Sequence, residues 1–194
     1  LSMKALRRGA KGMRLARMPD AEREGIEPVV LAVYDDSLRA LESMGAEIVE
    51  VALPHRFVEF AEMTGALIAM DGYPYLGHLV EDPSSPIDEE VRKRFKPAAT
   101  KSSTDYLVLL QKRERMRRAM EAALAGVDAL LTPTVPTTAI PVADVATTSI
   151  VPAHFTRVVN MLGGCALAVP NGLSSSGLPT SLHIVCGPGE EETA

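Results

Sequence analysis

Tryptophan is absent from this 194-residue chain, and tyrosine and phenylalanine occur only four times each. So few rings give no material for a base-stacking platform that would grip single-stranded nucleic acid. Nor is there a cationic excess, the formal net charge being −5, so nucleic acid is not an expected partner. Cysteine occurs twice, at Cys165 and Cys186. Two thiols cannot staple a fold, and the default for them is a reduced, intracellular state. No apolar run approaches the roughly 20 residues that cross a bilayer, and no signal-peptide pattern is visible, so neither a membrane nor an export route is expected. Glycine and proline, 14 each, are too sparse for a fibrous or low-complexity chain. The four histidines (His55, His78, His154, His183) are scattered without a metal-ligand spacing, and no metal or cofactor is expected.

What is present suits one globular α/β unit. Apolar residues make up 46% and charged residues 23% of the sequence, enough for a sizeable core. Charge is unevenly placed: residues 1–19 hold six cations (Lys4, Arg7, Arg8, Lys11, Arg14, Arg17) and no acid. A solvated terminus is the simplest reading of that arm, a membrane-touching or targeting segment the alternative.

Strand and helix patterns alternate along the chain. Residues 12–18 read as a short strand stopped by Pro19. Val30, Val33, Tyr34, Leu38, Leu41 and Met44 recur at helical spacing behind Pro28, a residue suited to a first helical turn. Gly45 suits the left-handed position after that helix. Residues 46–53 then alternate as a strand that stops at Pro54, a join typical of α/β units. Residues 57–80 read as a helix broken near Gly72 and Pro74, and residues 81–87 as a turn-rich connector. A helix starting near Ser103 or Thr104, with Asp105 in its first turn, carries a seam of Tyr106, Leu109, Leu110, Met116, Met120 and Leu124 and ends at Gly126. Its charged run, Lys112 to Arg118, reads as a solvated face. Residues 128–133 read as a buried strand, 134–153 as a long loop of a kind that is often functional, 155–161 as a short helix, and 165–169 and 180–185 as strands joined by a turn. The expected architecture is a mixed β-sheet flanked by helices.

In the last third of the chain, Asp128-Ala-Leu-Leu-Thr-Pro-Thr134, Phe155-Thr-Arg-Val-Val-Asn160, Ala168-Val-Pro-Asn-Gly172 and Gly177-Leu-Pro179 with Leu182-His-Ile-Val185 together resemble the amidase signature enzymes. Asp128-Ala-Leu-Leu-Thr-Pro-Thr134 is similar to their "D-x-L-L-x-P-T" strand and loop. Phe155-Thr-Arg-Val-Val-Asn160, Gly163 and Ala168-Val-Pro-Asn-Gly172 resemble their "F-T-x-x-x-N-x-x-G-x-P-A-x-x-V-P-x-G" run. Gly177-Leu-Pro179 with Leu182-His-Ile-Val185 resembles the strand that follows. Upstream, Asp105-Tyr106 with Arg113, and Gly45-Ala-Glu47 through Leu53-Pro54, fit further pieces in the right order. Cys165 stands where that family often has Pro, Thr180-Ser181 where it has an apolar-Gly pair, and His183 where it has Gln.

The resemblance implies a carboxamide hydrolase that works through an acyl-serine, with a Ser–Ser–Lys core upstream of the region matched here. A serine hydroxyl needs a base to take its proton and N–H groups to hold the oxyanion. This sequence has no Gly-Gly-Ser-Ser-Gly-Gly run, so no catalytic residue is assigned. Ser174-Ser-Ser-Gly177 with Lys101 upstream imitates that core, but Leu173 replaces the glycine cradle and Lys101 lacks a strand context. Residues 1–194 are thus expected to be the C-terminal segment of a cytoplasmic amidase domain, truncated at both ends. His154, Phe155, Thr156 and Thr134 are the expected substrate-pocket residues, the substrate being a small-molecule amide. Ala153 and His154 stand where tRNA-dependent transamidase subunits carry an acid. Cys165 reads as a buried, inert thiol rather than half of a Cys–His dyad. Association with a missing N-terminal half, or a homodimer, is expected, with the Val29–Leu41 helix and the Cys165–Val169 strand as buried faces. The alternative is a non-catalytic binding or assembly module of the same topology.

Overall fold

The computed structural model describes residues 9–145 and 152–194, so part of the expected long loop lies outside the described residues, as do Lys4, Arg7 and Arg8 of the basic arm. Five strands form one sheet in the order β2-β1-β3-β5-β4, where β1 is Arg14–Arg17, β2 Glu47–Glu50, β3 Ala129–Pro133, β4 Cys165–Leu173 and β5 Pro179–Cys186. β1 runs parallel to both β2 and β3, whereas β5 is antiparallel to β3 and β4. The sheet is therefore mixed and flanked by helices, as the alternating pattern predicts. Far from being only a solvated terminus, the basic arm supplies the strand between β2 and β3. Arg14 bonds Glu47 and the Gly126 carbonyl, and Arg17 pairs with Asp20 and Glu50.

α1 (Pro28–Ser43) starts on Pro28 and is followed by Gly45 at φ +92°. It lays Val30, Tyr34 and Leu38 on the sheet. Tyr34 is fully buried. Its hydroxyl accepts the Met18 N–H (2.8 Å) and donates to the Leu131 carbonyl (3.1 Å), tying the end of β1 to β3. Burial pushes the phenol up to about 12, so it remains a donor throughout the neutral range.

α2 (Phe57–Glu81) is one continuous helix with Pro74 inside it, which corrects the expected break. Gly72 is a packing site: a Cβ there would meet the Phe95 ring at 2.3 Å. Pro74 costs one backbone bond, but the helix end is secured beyond it. Val80 is buried, and Arg92 donates to the Leu79, Val80 and Asp82 carbonyls, the groups a helix end leaves unpaired. Arg92 belongs to α3 (Glu89–Phe95), capped by the Asp88 carboxylate on the Glu90 and Val91 N–H groups. α4 (Ser103–Ala123) opens on a Ser102/Asp105 capping box and buries Met116 and Met120. Arg113, within its charged face, turns inward and donates to the Met161 and Asn160 carbonyls, securing the end of α5 (Arg157–Leu162).

β4 and β5 run longer than their apolar cores suggest, meeting beyond a register shift between Pro170 and Gly172. β4 is the edge of the sheet, and Ala166 through Pro170 are exposed along it, with Leu167 at 46% and Leu173 at 66%. The expected open face on this strand is present. On α1 the apolar positions are already packed inside the fold.

Removing the Tyr34 hydroxyl leaves the buried Met18 N–H and Leu131 carbonyl each without this partner. Tyr34→Phe is expected to lower unfolding free energy by about 1–3 kcal/mol in urea titrations. An unchanged midpoint would show that the bridge carries no stability.

Candidate substrate-facing site

The structure gathers three of the four expected pocket residues at the start of α2. Phe155 is completely buried against Phe57, ring centroids 5.3 Å apart and nearly perpendicular. His154 lies edge-on to Phe155 at 4.7 Å and to Phe57 at 6.2 Å, in geometries that aromatic quadrupoles favour. Thr156 donates back to the Ala153 carbonyl at 3.4 Å. Thr134 is held elsewhere, its N–H and hydroxyl both directed to the Ser181 carbonyl on β5. Phe155 is therefore an anchor within the core. His154 and Thr156 are both half-buried, and His154 is the titratable one of the two.

Sequence reasoning missed the residue that fixes this group. Glu22, in a 3-10 turn over Asp20–Glu22, is 5% exposed. Its carboxylate accepts the Phe57 N–H (3.3 Å) and the Arg56 guanidinium, and His154 Nε2 stands 3.9 Å from its other oxygen. Arg56 also donates to the Ala21 carbonyl. A negative group at a helix N-terminus satisfies unpaired N–H groups and meets the positive end of the helix dipole. Burial opposes ionisation of Glu22, but His154, Arg56 and the Phe57 N–H outweigh it and hold the carboxyl below its ordinary value. No local motif announces Glu22, because its partners lie more than 30 residues away.

The rest of the wall is fastened by the same means. Arg157 donates to the Ala61 carbonyl of α2 at 2.8 Å. The long loop docks on the start of α1, Glu27 accepting the Thr138 N–H and hydroxyl while its own N–H goes to the Pro136 carbonyl. His183 is buried between strands, Nδ1 3.3 Å from the Thr132 hydroxyl, and burial pushes its ring down to about 4. It is a neutral core histidine on an interior strand.

The serine lookalike is a hairpin turn. Ser174 and Ser176 share a hydrogen bond at 2.8 Å, and the Leu178 N–H caps the Ser174 hydroxyl. Lys101 instead lines a surface hollow with Tyr73, Tyr75 and Tyr106. Cys165 is only partly buried, which corrects the expectation for it, because β4 is an edge; Cys186 is buried. Among the described residues, no cluster of three or more His, Cys, Asp or Glu is arranged to hold a metal ion. No described helix is long and apolar enough to cross a membrane.

The buried imidazole sets a pH dependence. Unfolded, the ring protonates below about pH 6.5, and folded only near 4. Stability is thus complete above pH 6.5 and declines as pH falls toward 4, by on the order of 3 kcal/mol. His183→Gln is expected to flatten the decline between pH 6.5 and 4 in urea titrations. An unaltered slope would contradict the burial account.

Comparison with known proteins bears on the family and the fold. The Amidase family model matches residues 2–194. A glutamyl-tRNA(Gln) amidotransferase subunit from Geobacter metallireducens is 29% identical over 98% of the chain, and its counterpart from Methylocella silvestris 32% over 97%. In both cases the chain spans 44% of the relative's length. Among solved structures, an amidase superposes with a TM-score of 0.82 at 25% identity, over 95% of this chain and 44% of that one. Allophanate hydrolase of Kluyveromyces lactis gives 0.80 at 25% identity, over 95% and 30%. Fold, motif order and full-length match agree, and the chain belongs to the amidase signature family.

Proposed function

We infer that this chain is the C-terminal segment of a cytoplasmic amidase that breaks a carboxamide C–N bond through an acyl-serine. In that reading the chain supplies outer strands, flanking helices and one wall of the substrate pocket. His154 and Thr156 are the wall's polar members and Phe155 anchors it, while Thr134, held on the Ser181 carbonyl, would meet substrate from the β5 side. The observation that carries the reading is the family match along residues 2–194 together with the share of relatives that the chain spans. The nucleophile and base then belong to a part of the enzyme outside these residues. The exposed β4 edge suits a partner strand or surface from that part: unpaired strand edges and bare apolar residues favour association.

A second reading follows from the relatives named as amidotransferase subunits. The same segment would then belong to an amidotransferase and work beside partner subunits. His154 in place of an acid disfavours it.

A fluorophosphonate probe, which marks activated serines, tests the assignment. The 194-residue chain is expected to remain unlabelled and to release no ammonia from simple carboxamides. A longer protein that includes it should be labelled on a serine outside residues 1–194. Labelling of Ser174, Ser175 or Ser176, or hydrolysis abolished by Ser175→Ala, would overturn the proposal.

A further inference from the structure

Cys165 and Cys186 are partners in the antiparallel register, opening β4 and closing β5. Both are free thiols. Directly opposed residues of an antiparallel pair project to the same face with Cβ atoms roughly 4.5–5.5 Å apart. A disulfide requires Cβ atoms about 3.5–4.5 Å apart, so closure asks for a shift of roughly 1 Å. The strand that has to move is β4, the edge of the sheet, with no neighbour on its far side among the described strands.

The surroundings keep the two strands close and the sulfurs reachable. At Gly164, next to Cys165, a Cβ would come within 2.4 Å of the Cys186 carbonyl oxygen, so any larger residue would push the strands apart. Gly163, at φ +68°, turns the chain out of α5 into this corner. Cys165 is half-buried, with Sγ directed at the Gly187 carbonyl 3.4 Å away. A cavity of about 320 Å³ lies against Gly164, Cys186 and Gly187, with Asp128 and Glu190 also on its wall.

We propose that Cys165 and Cys186 form a thiol pair that is oxidised to an intrachain disulfide by low-molecular-weight disulfides. The Cys165 thiolate, the more accessible sulfur, attacks one sulfur of the small disulfide, and one small thiolate leaves and takes up a proton. The Cys186 thiolate then attacks the Cys165 sulfur of the mixed disulfide and expels the second small thiol. Two protein thiols are oxidised and one small disulfide is reduced to two thiols. The acids Asp128, Glu190 and Glu191 face the pair, and burial raises both thiols, Cys186 up to about 12. Exchange is accordingly slow at neutral pH, and a cationic disulfide is the favoured reagent over an anionic one. The bond staples the edge strand to its neighbour at the corner that carries α5.

Cystamine, a cationic disulfide, is the probe. The folded 194-residue chain treated with it should release two cysteamines per chain, lose two hydrogens by intact mass, and yield a Cys165–Cys186 cross-linked peptide that dithiothreitol reverses. Ring closure from the mixed disulfide should be at least about 10-fold faster in buffer than in concentrated urea, because only the folded sheet holds the sulfurs opposite each other. Cysteamine retained on the folded protein, a link between chains, an unreacted pair after prolonged exposure, or equal closure rates in buffer and urea would each overturn the proposal. Cys186→Ser should keep one cysteamine on Cys165, and its absence there would equally contradict the order of attack.

Discussion

A single buried carboxylate joins three separate stretches of this chain at the start of α2. Glu22 meets the first N–H of α2, the Arg56 guanidinium and the His154 ring. Three stretches far apart in sequence, the exit from β1, the start of α2 and the segment leading into α5, are thereby joined at one point. A buried carboxylate without such partners would take up a proton. Here its partners keep it ionised, and the charge that holds them requires them in turn. The aromatic trio of Phe57, His154 and Phe155 packs around that point and gives the segment a fixed geometry.

Behind that point stands a sheet whose order sets what is covered and what is open. α1 lies across the sheet from β2 to β4, and Tyr34 on it ties β1 to β3. β5 is interior and carries the buried His183, whereas β4 at the edge exposes its apolar residues. The contrast between a well-satisfied interior and an exposed apolar edge makes β4 the place on this sheet where association is favoured. Pro170 and the register shift beside it blunt only the far end of that edge, leaving Cys165–Val169 as its open stretch.

Much of this was legible in the sequence, for identifiable reasons. Pro28, Gly45, Ser102 with Asp105, and Gly126 mark ends by local chemistry, so α1 and α4 fall where the pattern puts them. The segment containing Phe155 was found through its resemblance to a known run. Tertiary packing set what local patterns misread. α2 runs through Pro74 because Arg92 and Phe95 hold its far half from another helix. α3 went unread although Asp88, two following acids and then Arg92-Lys93-Arg94 spell a capped, dipole-matched helix. Glu22, Arg113 and Arg157 act over long sequence separations, and no spacing rule reveals such partners.

The central claim is that Glu22 positions the His154 segment, and hydrogen exchange on Glu22→Ala tests it most directly. The account predicts faster amide exchange in the first turn of α2 and in residues 152–162, more than 120 residues downstream, with β3 and β5 unaffected. Faster exchange confined to residues near 22 would contradict it.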